Sequence, residues 1–236
     1  MTIYKTFNRL WFCEIGLLVG FLFFGNLVLN GQSNSYTDQR FRAGLRLGTT
    51  ASQISGDAYK GYRKAGLLAG VEGFAQLKDR TYLSLGFLFT EIGSIPSDSE
   101  KKRDQSNFLE IQLTYLELPL LVHFQGKAKE RYRPFDFHVG FSLARLLSSR
   151  ITSQVTISGP GIPPLIDLSI VNRQNEFKQF NANFQLGLSY YFIPQFGLSL
   201  RHVYGFQDFY QAPADVDTQK NLRNFYWSVS GTYIIR

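Results

Sequence analysis

The 236-residue sequence contains little cysteine, histidine or methionine, and this scarcity excludes several classes of protein. One Cys cannot form an internal disulfide or a cysteine-rich zinc site, and 3 His leave little room for a histidine metal cluster. The mean hydropathy of −0.12 is too low for a bundle of transmembrane helices. The 22 Phe and 13 Tyr are nevertheless too many for a disordered chain. The fold must therefore hold many aromatic side chains away from water.

The longest uncharged apolar run lies near the N-terminus, at residues 15–29, and follows the basic residues Lys5 and Arg9. A basic start followed by a short hydrophobic core is typical of a secretory signal peptide. We expect residues 1–31 to be removed and residues 32–236 to form a single mature domain. A retained membrane anchor is the alternative interpretation of the same run.

Alternation of apolar and polar residues dominates the rest of the sequence. A period of two predicts β-strands with two different faces. In the clearest example, large apolar residues occupy every even position of residues 180–192, and Asn, Gln, Gly, Ser and Tyr lie between them. Eight segments follow this pattern, and they begin near Phe41, Leu67, Leu83, Leu109, Phe135, Phe180, Phe196 and Phe225. No convincing amphipathic helix interrupts the series.

Two architectures fit eight such strands, and they differ in which face meets water. In a soluble sandwich or lipocalin-like barrel the apolar face points inward, whereas in an outer-membrane barrel it points toward lipid. The polar face here is rich in Gly, Ser and Asn rather than in the Lys and Glu that coat a soluble sheet. Aromatic residues also gather near strand ends, where interfacial girdles lie in membrane barrels. The composition of the two faces favours the membrane barrel.

The links between the predicted strands provide an independent test. Odd-numbered links are long, as at residues 51–65 and 150–178, and even-numbered links are short, as at residues 77–80 and 193–195. Bacterial outer-membrane barrels alternate long extracellular loops with short periplasmic turns in this way. We therefore predict an all-β fold, an eight-stranded antiparallel up-and-down transmembrane β-barrel in the bacterial outer membrane, with both termini in the periplasm.

Four segments of the sequence form recognisable motifs: residues 50–57, residues 61–67, the Tyr-Leu-Glu-Leu-Pro stretch within residues 115–121, and the closing segment 223–235. These motifs resemble those of the PorT-like outer-membrane β-barrel proteins of Gram-negative bacteria. The resemblance covers most of residues 40–236. It implies an eight-stranded up-and-down barrel and, through the founding member of the family, a link to type IX protein secretion.

Charged residues on the polar faces form the first candidate site. An eight-stranded barrel is just wide enough for its own side chains to fill, so these charges should pair across the lumen and close it. A conducting pore is the alternative. The predicted lumen charge network consists of Arg42, Arg46, Glu72, Glu110, Glu117, Asp136, His138 and Arg201.

The Tyr-Leu-Glu-Leu-Pro motif coincides with a change of phase in the fourth segment. Apolar residues occupy odd positions up to Tyr115 and even positions from Leu116 to Phe124. A bulge or bend near Glu117 and Pro119 would return the apolar face to lipid. We expect Glu117 and His123 to face the interior on this interpretation.

Other functions leave little trace in the sequence. No catalytic triad signature, cofactor-binding motif or metal site is recognisable, so we predict a protein that is not an enzyme and carries no cofactor. The scattered basic residues do not form a nucleic-acid surface. Within the 150–178 link, an apolar, proline-rich stretch predicts either a lid over the barrel or a contact with a partner protein: Ile162, Pro163, Pro164 and Leu165.

The leading function hypothesis is a non-catalytic barrel that serves as a scaffold or accessory component of an envelope assembly. Type IX secretion is the assembly that the family resemblance implies. The expected partners are outer-membrane lipid and envelope proteins. A small porin-like transport or ligand-binding barrel is the first alternative, and a soluble exported carrier is the second.

Overall fold

The computed structural model describes residues 40–57, 59, 61–98, 108–128, 132–154, 177–210 and 221–235. Eight β-strands make up almost all of this part of the chain. The strands are β1 (Phe41–Ser55), β2 (Lys64–Lys78), β3 (Thr81–Ser94), β4 (Phe108–Gln125), β5 (Phe135–Gln154), β6 (Phe180–Ile193), β7 (Phe196–Gly205) and β8 (Arg223–Ile235). The predicted signal peptide and the stretch from Ile162 to Leu165 lie outside the described residues.

The strands form one closed antiparallel barrel in which each strand pairs with its neighbours in sequence. β1 closes the sheet against β8, from the pair Ala43 and Ile235 to the pair Ser55 and Arg223. Two links contain only two residues, 79–80 and 194–195, whereas residues 206–222 join β7 to β8. The predicted eight-stranded up-and-down barrel is therefore confirmed. The described residues include no helix with the length and apolar character needed to cross a bilayer.

Alternation along each strand separates an apolar outer surface from a packed interior. On β6, for example, Leu186 and Leu188 are exposed on the outside while Gln185 and Ser189 are buried. Because hydrophobic side chains on seven other strands are exposed in the same way, the outer wall of the barrel is a continuous apolar surface. Such a surface is suited to lipid rather than to water.

The interior at the long-loop end of the barrel is apolar. We call this region the outer apolar layer. Strand residues such as Ile92 and Leu113 pack there with residues that precede or follow strands, including Phe177 and Phe209. Its buried members are Ile54, Tyr59, Ile92, Ile111, Leu113, Tyr115, Ala144, Ile151, Phe177, Val203, Phe209, Tyr210, Leu222 and Tyr226.

A smaller aromatic layer fills the short-turn end of the interior. Phe74, Tyr82 and Tyr191 pack there with Ile234, and Tyr132 of the β4–β5 link covers them. The hydroxyl of Tyr132 donates a hydrogen bond to the backbone oxygen of Phe192 at 2.7 Å. Apolar groups therefore close the lumen at both ends of the barrel.

The predicted change of phase in β4 is wrong. Ile111, Leu113 and Tyr115 are buried inside the barrel, and the inward phase continues without interruption to Glu117 and His123. The irregularity lies on the partner strand, because Thr114 pairs with Ser148 whereas Tyr115 pairs with Leu146. β5 thus carries one extra residue, Leu147, and the bulge shifts its phase instead. Ile111, Leu113 and Tyr115 therefore belong to the outer apolar layer and not to the lipid-facing wall.

Closure of the barrel depends on the absence of a side chain at Gly48. A Cβ added there would lie 2.6 Å from Cα of Ser230 and even closer to the backbone oxygen of Val229 on β8. We expect Gly48→Ala to lower the fraction of folded barrel, measured by the mobility of unheated samples on SDS gels. Gly73→Ala is the matched control, because its nearest neighbour would be the oxygen of Leu85 at 3.8 Å. Equal folding of the two variants would contradict this view of the β1–β8 seam.

Candidate functional site

A layer of charged and polar side chains fills the lumen between the two apolar ends. We call it the middle layer. All eight strands contribute to it, so it ties the whole circumference of the barrel together. Its principal members are Arg46, Glu72, Ser84, Glu117, His123, Asp136, His138, Ser142, Gln185, Arg201, Tyr226 and Ser230.

The ion pair between Arg46 and Glu72 joins β1 to β2 in the middle layer. Nη2 of Arg46 lies 2.6 Å from Oε2 of Glu72, and Nε donates to the same oxygen at 2.8 Å. Nη1 donates to the hydroxyl of Ser230 on β8 at 2.9 Å. Both charged side chains are almost completely buried. Each charge is therefore neutralised by its partner and by hydrogen bonds, as burial requires.

Arg201 on β7 extends this group across the lumen. Its Nη2 lies 3.6 Å from Oε1 of Glu72, which is an ion pair but too long for a direct hydrogen bond. Its Nε donates to Nε2 of His138 at 3.3 Å, and its Nη1 donates to Oε1 of Gln185 at 3.3 Å. Arg201 therefore links the carboxylate on β2 to side chains on β5 and β6.

Glu117, the acidic residue of the Tyr-Leu-Glu-Leu-Pro motif, lies inside the barrel and collects hydrogen bonds from several strands. Oε1 accepts from Ser142 at 2.6 Å and from Gln185 at 2.8 Å, and Oε2 accepts from the hydroxyl of Tyr226 at 2.6 Å. Asn183 and Thr90 donate at longer distances. This number of donors suits an ionised carboxylate.

Asp136 on β5 is the third buried carboxylate. Its Oδ1 lies 2.8 Å from Nδ1 of His123 and 3.3 Å from Nδ1 of His138, and its Oδ2 accepts a hydrogen bond from the hydroxyl of Tyr82. The ring of Tyr82 stacks on that of His123 with 4.3 Å between centroids. Asp136 therefore connects the middle layer to the aromatic layer.

The imidazole of His123 links a serine hydroxyl to a carboxylate. The hydroxyl of Ser84 donates to Oε1 of Glu72 at 2.9 Å and lies 2.8 Å from Nε2 of His123. Nδ1 of His123 lies 2.8 Å from Oδ1 of Asp136. His123 therefore connects the carboxylate on β2, through Ser84, to the carboxylate on β5.

The structure places the eight predicted lumen residues in three different settings. Arg46, Glu72, Glu117, Asp136, His138 and Arg201 are buried inside the barrel. Arg42 is half-buried, with its guanidinium carbon 5.7 Å from the ring centroid of Tyr82. Glu110 is the residue for which the prediction is wrong. Since Ile111 faces inward, Glu110 lies in the outward phase at the rim, 3.0 Å from Nζ of Lys64.

His123, Asp136 and His138 together resemble a metal-binding group, because their ligand atoms lie within 4.8 Å of one another. The hydrogen bonds argue against that use. Nε2 of His138 accepts from Arg201, so its Nδ1 carries the hydrogen that points to Asp136. A protonated nitrogen cannot ligate a metal ion, and the nearby arginines would repel one. These residues fit a hydrogen-bond network better than a metal centre.

Ser84, His123 and Asp136 have the connectivity of a hydrolase triad. The hydroxyl oxygen contacts Nε2 and the carboxylate contacts Nδ1, each at 2.8 Å. Two features prevent the corresponding chemistry. The hydroxyl donates its proton to Glu72 rather than to the imidazole, and Ser84 is completely buried, with 0% of its surface exposed. A substrate therefore has no access to the nucleophile, and the arrangement is structural.

Sequence reasoning missed the grouping around His123, although part of the signal was present. The short β4–β5 link makes His123 and His138 direct neighbours across the two strands. Counting residues from that link along both strands would have placed His123 opposite His138, because the length of a hairpin link determines the strand register. The contact with Ser84 could not be found in this way, since a long link separates β3 from β4.

Removal of the Glu72 charge should destabilise the barrel strongly. Glu72→Gln leaves Arg46 and Arg201 buried without their shared carboxylate, at an expected cost of roughly 3–5 kcal/mol in the free energy of unfolding. Glu110→Gln breaks a partly exposed pair at the rim and should cost less than about 1 kcal/mol. Urea unfolding in detergent micelles measures both values. Similar losses for the two variants would contradict the role of the middle layer.

Ser84 should not react as an enzymatic nucleophile. We expect a fluorophosphonate probe to leave Ser84 unmodified in the folded barrel, because the hydroxyl is inaccessible and hydrogen-bonded to Glu72. Intact-protein mass spectrometry provides the readout, and a known serine hydrolase in the same detergent provides the labelling control. Labelling that disappears in Ser84→Ala would demonstrate a reactive triad and refute the structural interpretation.

Comparison with solved structures identifies several small outer-membrane barrels of similar fold. Ail, the attachment invasion locus protein of Yersinia pestis, is 11% identical, with a TM-score of 0.44 over 84% of this chain and 100% of Ail. Neisserial surface protein A is 13% identical, with a TM-score of 0.42 over 83% and 97% of the two chains. OprG from Pseudomonas aeruginosa is 11% identical, with a TM-score of 0.37 over 83% and 94%. No curated protein sequence matches the chain.

A family model provides the assignment. The model described as outer membrane protein beta-barrel domain matches residues 30–211, which is well over half of the chain. This match agrees with the closed eight-stranded sheet and its apolar outer wall. The soluble exported carrier considered from the sequence is thereby excluded. The protein belongs to the outer membrane beta-barrel domain family and resides in the bacterial outer membrane.

Proposed function

We propose that the protein is a non-conducting, non-catalytic outer-membrane barrel that acts as a scaffold or accessory component of an envelope assembly. In this proposal the termini and short turns face the periplasm, and the long-loop end faces the cell exterior. The lumen has only a structural role. Contacts with other proteins are made by the parts of the barrel that extend beyond the lipid.

The observation that carries the proposal is the three-layered filling of the lumen. Charged groups of the middle layer neutralise one another, as in the Arg46–Glu72 pair, and apolar layers cover them toward both ends. An ion would have to cross apolar packing and then displace buried ion pairs. This arrangement supports a structural barrel rather than a pore.

The size of the interior space argues against the transport or ligand-binding alternative. Within the described part of the chain, a small cavity lies above Glu117, between Tyr115, Asn183, Asn224 and Tyr226, and has room for about one water molecule. Pockets for small organic ligands are usually roughly 300–1,000 Å³. The space is therefore too small for a nutrient-sized ligand.

The lengths of β4 and β5 support a function at the long-loop end. These strands contain 18 and 20 residues, whereas about 9–11 residues cross a bilayer at the usual tilt. Beyond the apolar band, outward positions on this pair are polar, including Gln112, Thr114 and Arg150. At the long-loop end, the start of β4 and the end of β5 thus extend together beyond the apolar band as a polar arm. This arm is a suitable surface for a protein partner.

Type IX protein secretion is the assembly to examine first. This choice rests on the resemblance of residues 50–57, 61–67, 115–121 and 223–235 to PorT-like barrels. The family match concerns the general barrel domain, so the more specific assignment stays a prediction.

Planar-bilayer recording tests whether the lumen is closed. We expect the purified protein to produce no reproducible single-channel conductance, because the apolar layers and buried ion pairs block the path. A known porin reconstituted in the same bilayers serves as the positive control. Conductance steps of uniform size that depend on the added protein would refute the closed lumen and favour the porin-like alternative.

Site-specific photo-crosslinking in native membranes tests the accessory role. A photoreactive amino acid at Gln112, on the polar arm, should capture a defined envelope protein. The matched control places the same amino acid at Val71, which is exposed on the apolar wall and should contact mainly lipid. Mass spectrometry identifies the adducts. The same background pattern from both positions would contradict the accessory role.

A further inference from the structure

A basic residue interrupts the apolar outward face of β5 near the long-loop end. Phe137, Phe141 and Leu143 are exposed on the apolar wall, the next outward residue is Arg145, and Leu147 at the bulge is exposed beyond it. Arg145 lies ten residues beyond Phe135, which is about 33 Å along the strand at about 3.3 Å per residue. At a strand tilt of about 40° this distance corresponds to about 25 Å of height, the usual height of the apolar band, so Arg145 lies near the level of the lipid headgroups.

Two further cations lie at the same end of the barrel, on or next to the same pair of strands. Lys178 precedes Phe180 by two residues, and Phe180 is the direct partner of Arg145 on β6. Arg150 follows on β5 beyond the bulge, where it pairs with Gln112 of β4 and is exposed. We call Arg145, Arg150 and Lys178 the basic rim.

Three acidic residues at this end of the described chain are engaged with other groups. Glu110 binds Lys64 at 3.0 Å, and Asp208 binds Arg223 at 2.9 Å. Oε2 of Glu91 accepts a hydrogen bond from the backbone nitrogen of Leu67 at 3.2 Å. Within the residues that the structure describes, the basic rim makes no ion pair. Its positive charge is therefore not neutralised by these carboxylates.

The guanidinium of Arg145 is held in place but keeps its hydrogen-bond donors. Its central carbon lies 6.0 Å from the ring centroid of Phe180, at the outer limit of a cation–π contact. A ring face orients the guanidinium without using its N–H groups, which lie in the guanidinium plane. The side chain is therefore ready to bind an anion with two parallel hydrogen bonds.

We propose that the basic rim is a binding site for the phosphate group of a phosphorylated membrane lipid in the leaflet at the long-loop end. The chemistry of the site determines this choice. An arginine guanidinium can donate two parallel hydrogen bonds to phosphate oxygens, and basic side chains near a membrane surface attract anionic headgroups. Arg145 lies at the level where it can meet such a headgroup. The bound headgroup would fix the depth and rotation of the barrel in the membrane. This inference depends on the membrane location and not on the scaffold function.

Native mass spectrometry of the mature protein released from nanodiscs tests the site. The nanodiscs contain phosphatidylcholine with either diphosphoryl lipid A or the same lipid without phosphates. We expect the wild-type barrel to retain the phosphorylated lipid and to lose the dephosphorylated one. The variant R145Q/R150Q/K178Q should retain the phosphorylated lipid at least about tenfold less, since each basic contact near a membrane surface contributes measurably.

Arg40→Gln is the matched control, because Arg40 is an exposed arginine at the opposite, short-turn end of the barrel. This variant should retain lipid as the wild type does. Gel mobility without heating verifies that each variant is folded, and the single variant Arg145→Gln replaces the triple one if the triple variant does not fold. Equal lipid loss in Arg40→Gln and in the rim variant would overturn the proposal, and so would equal retention of the dephosphorylated lipid.

A second arm distinguishes a lipid headgroup from a free anion. Inorganic phosphate is added to the nanodiscs at the same concentration as the phosphorylated lipid. We expect no displacement of the lipid, because only the headgroup is held at the level of Arg145 by its acyl chains. Displacement at equal concentration would identify a general phosphate site and refute the lipid assignment.

Discussion

A closed sheet of eight strands encloses a lumen that only its own side chains can fill, and every charge placed there requires a partner. The pair formed by Arg46 and Glu72 meets this requirement most directly, and Arg201 extends it to the far side of the barrel. Glu117 and Asp136 are stabilised differently, by hydrogen-bond donors from several strands. Because these contacts join all eight strands, the charge balance of the middle layer and the closure of the sheet depend on each other.

This constraint also explains why the interior resembles functional sites that it does not form. A Ser-His-Asp connectivity and a His-Asp-His group both arise where buried donors and acceptors must be matched within a narrow space. The exposure of the participating atoms distinguishes a catalytic arrangement from a structural one. Ser84 is fully buried, and His138 uses both nitrogens in hydrogen bonds. The two groups inside the barrel therefore fit a structural role better than a catalytic or metal-binding one.

We propose that the membrane divides the outer surface into regions with different partners: the apolar wall meets lipid tails, the basic rim lies at the headgroup level, and the β4–β5 arm extends beyond both. In this view the lumen provides stiffness, the rim sets the position of the barrel in the membrane, and the arm is available to proteins. A rigid, sealed barrel is well suited to hold such an arm at a constant height.

Alternation with a period of two was sufficient to predict the eight strands, the order of long and short links and the inward position of Glu72, Glu117 and Arg201. These features depend on local sequence, because successive side chains of a strand point to opposite faces. Alternation alone does not show whether an apolar face of a strand meets lipid or the barrel interior. Apolar residues at Ile111 and Leu113 look the same in the sequence whether they meet lipid or the outer apolar layer. The bulge that decides this lies on the neighbouring strand at Leu147, so the phase of β4 and the place of Glu110 were mispredicted.

The pairing of particular side chains is even harder to predict from the sequence. Ser84 meets His123, and Arg46 meets Ser230 across the closing seam, only after the whole sheet has curved into a cylinder. Long links leave the register between strands open, and closure is a property of all eight strands together. The amino-acid sequence by itself therefore determined the barrel, its membrane-facing wall and most of its buried charges. Barrel closure decided which of those charges meet and how apolar packing seals both ends of the lumen, because contacts between distant strands exist only in the closed sheet.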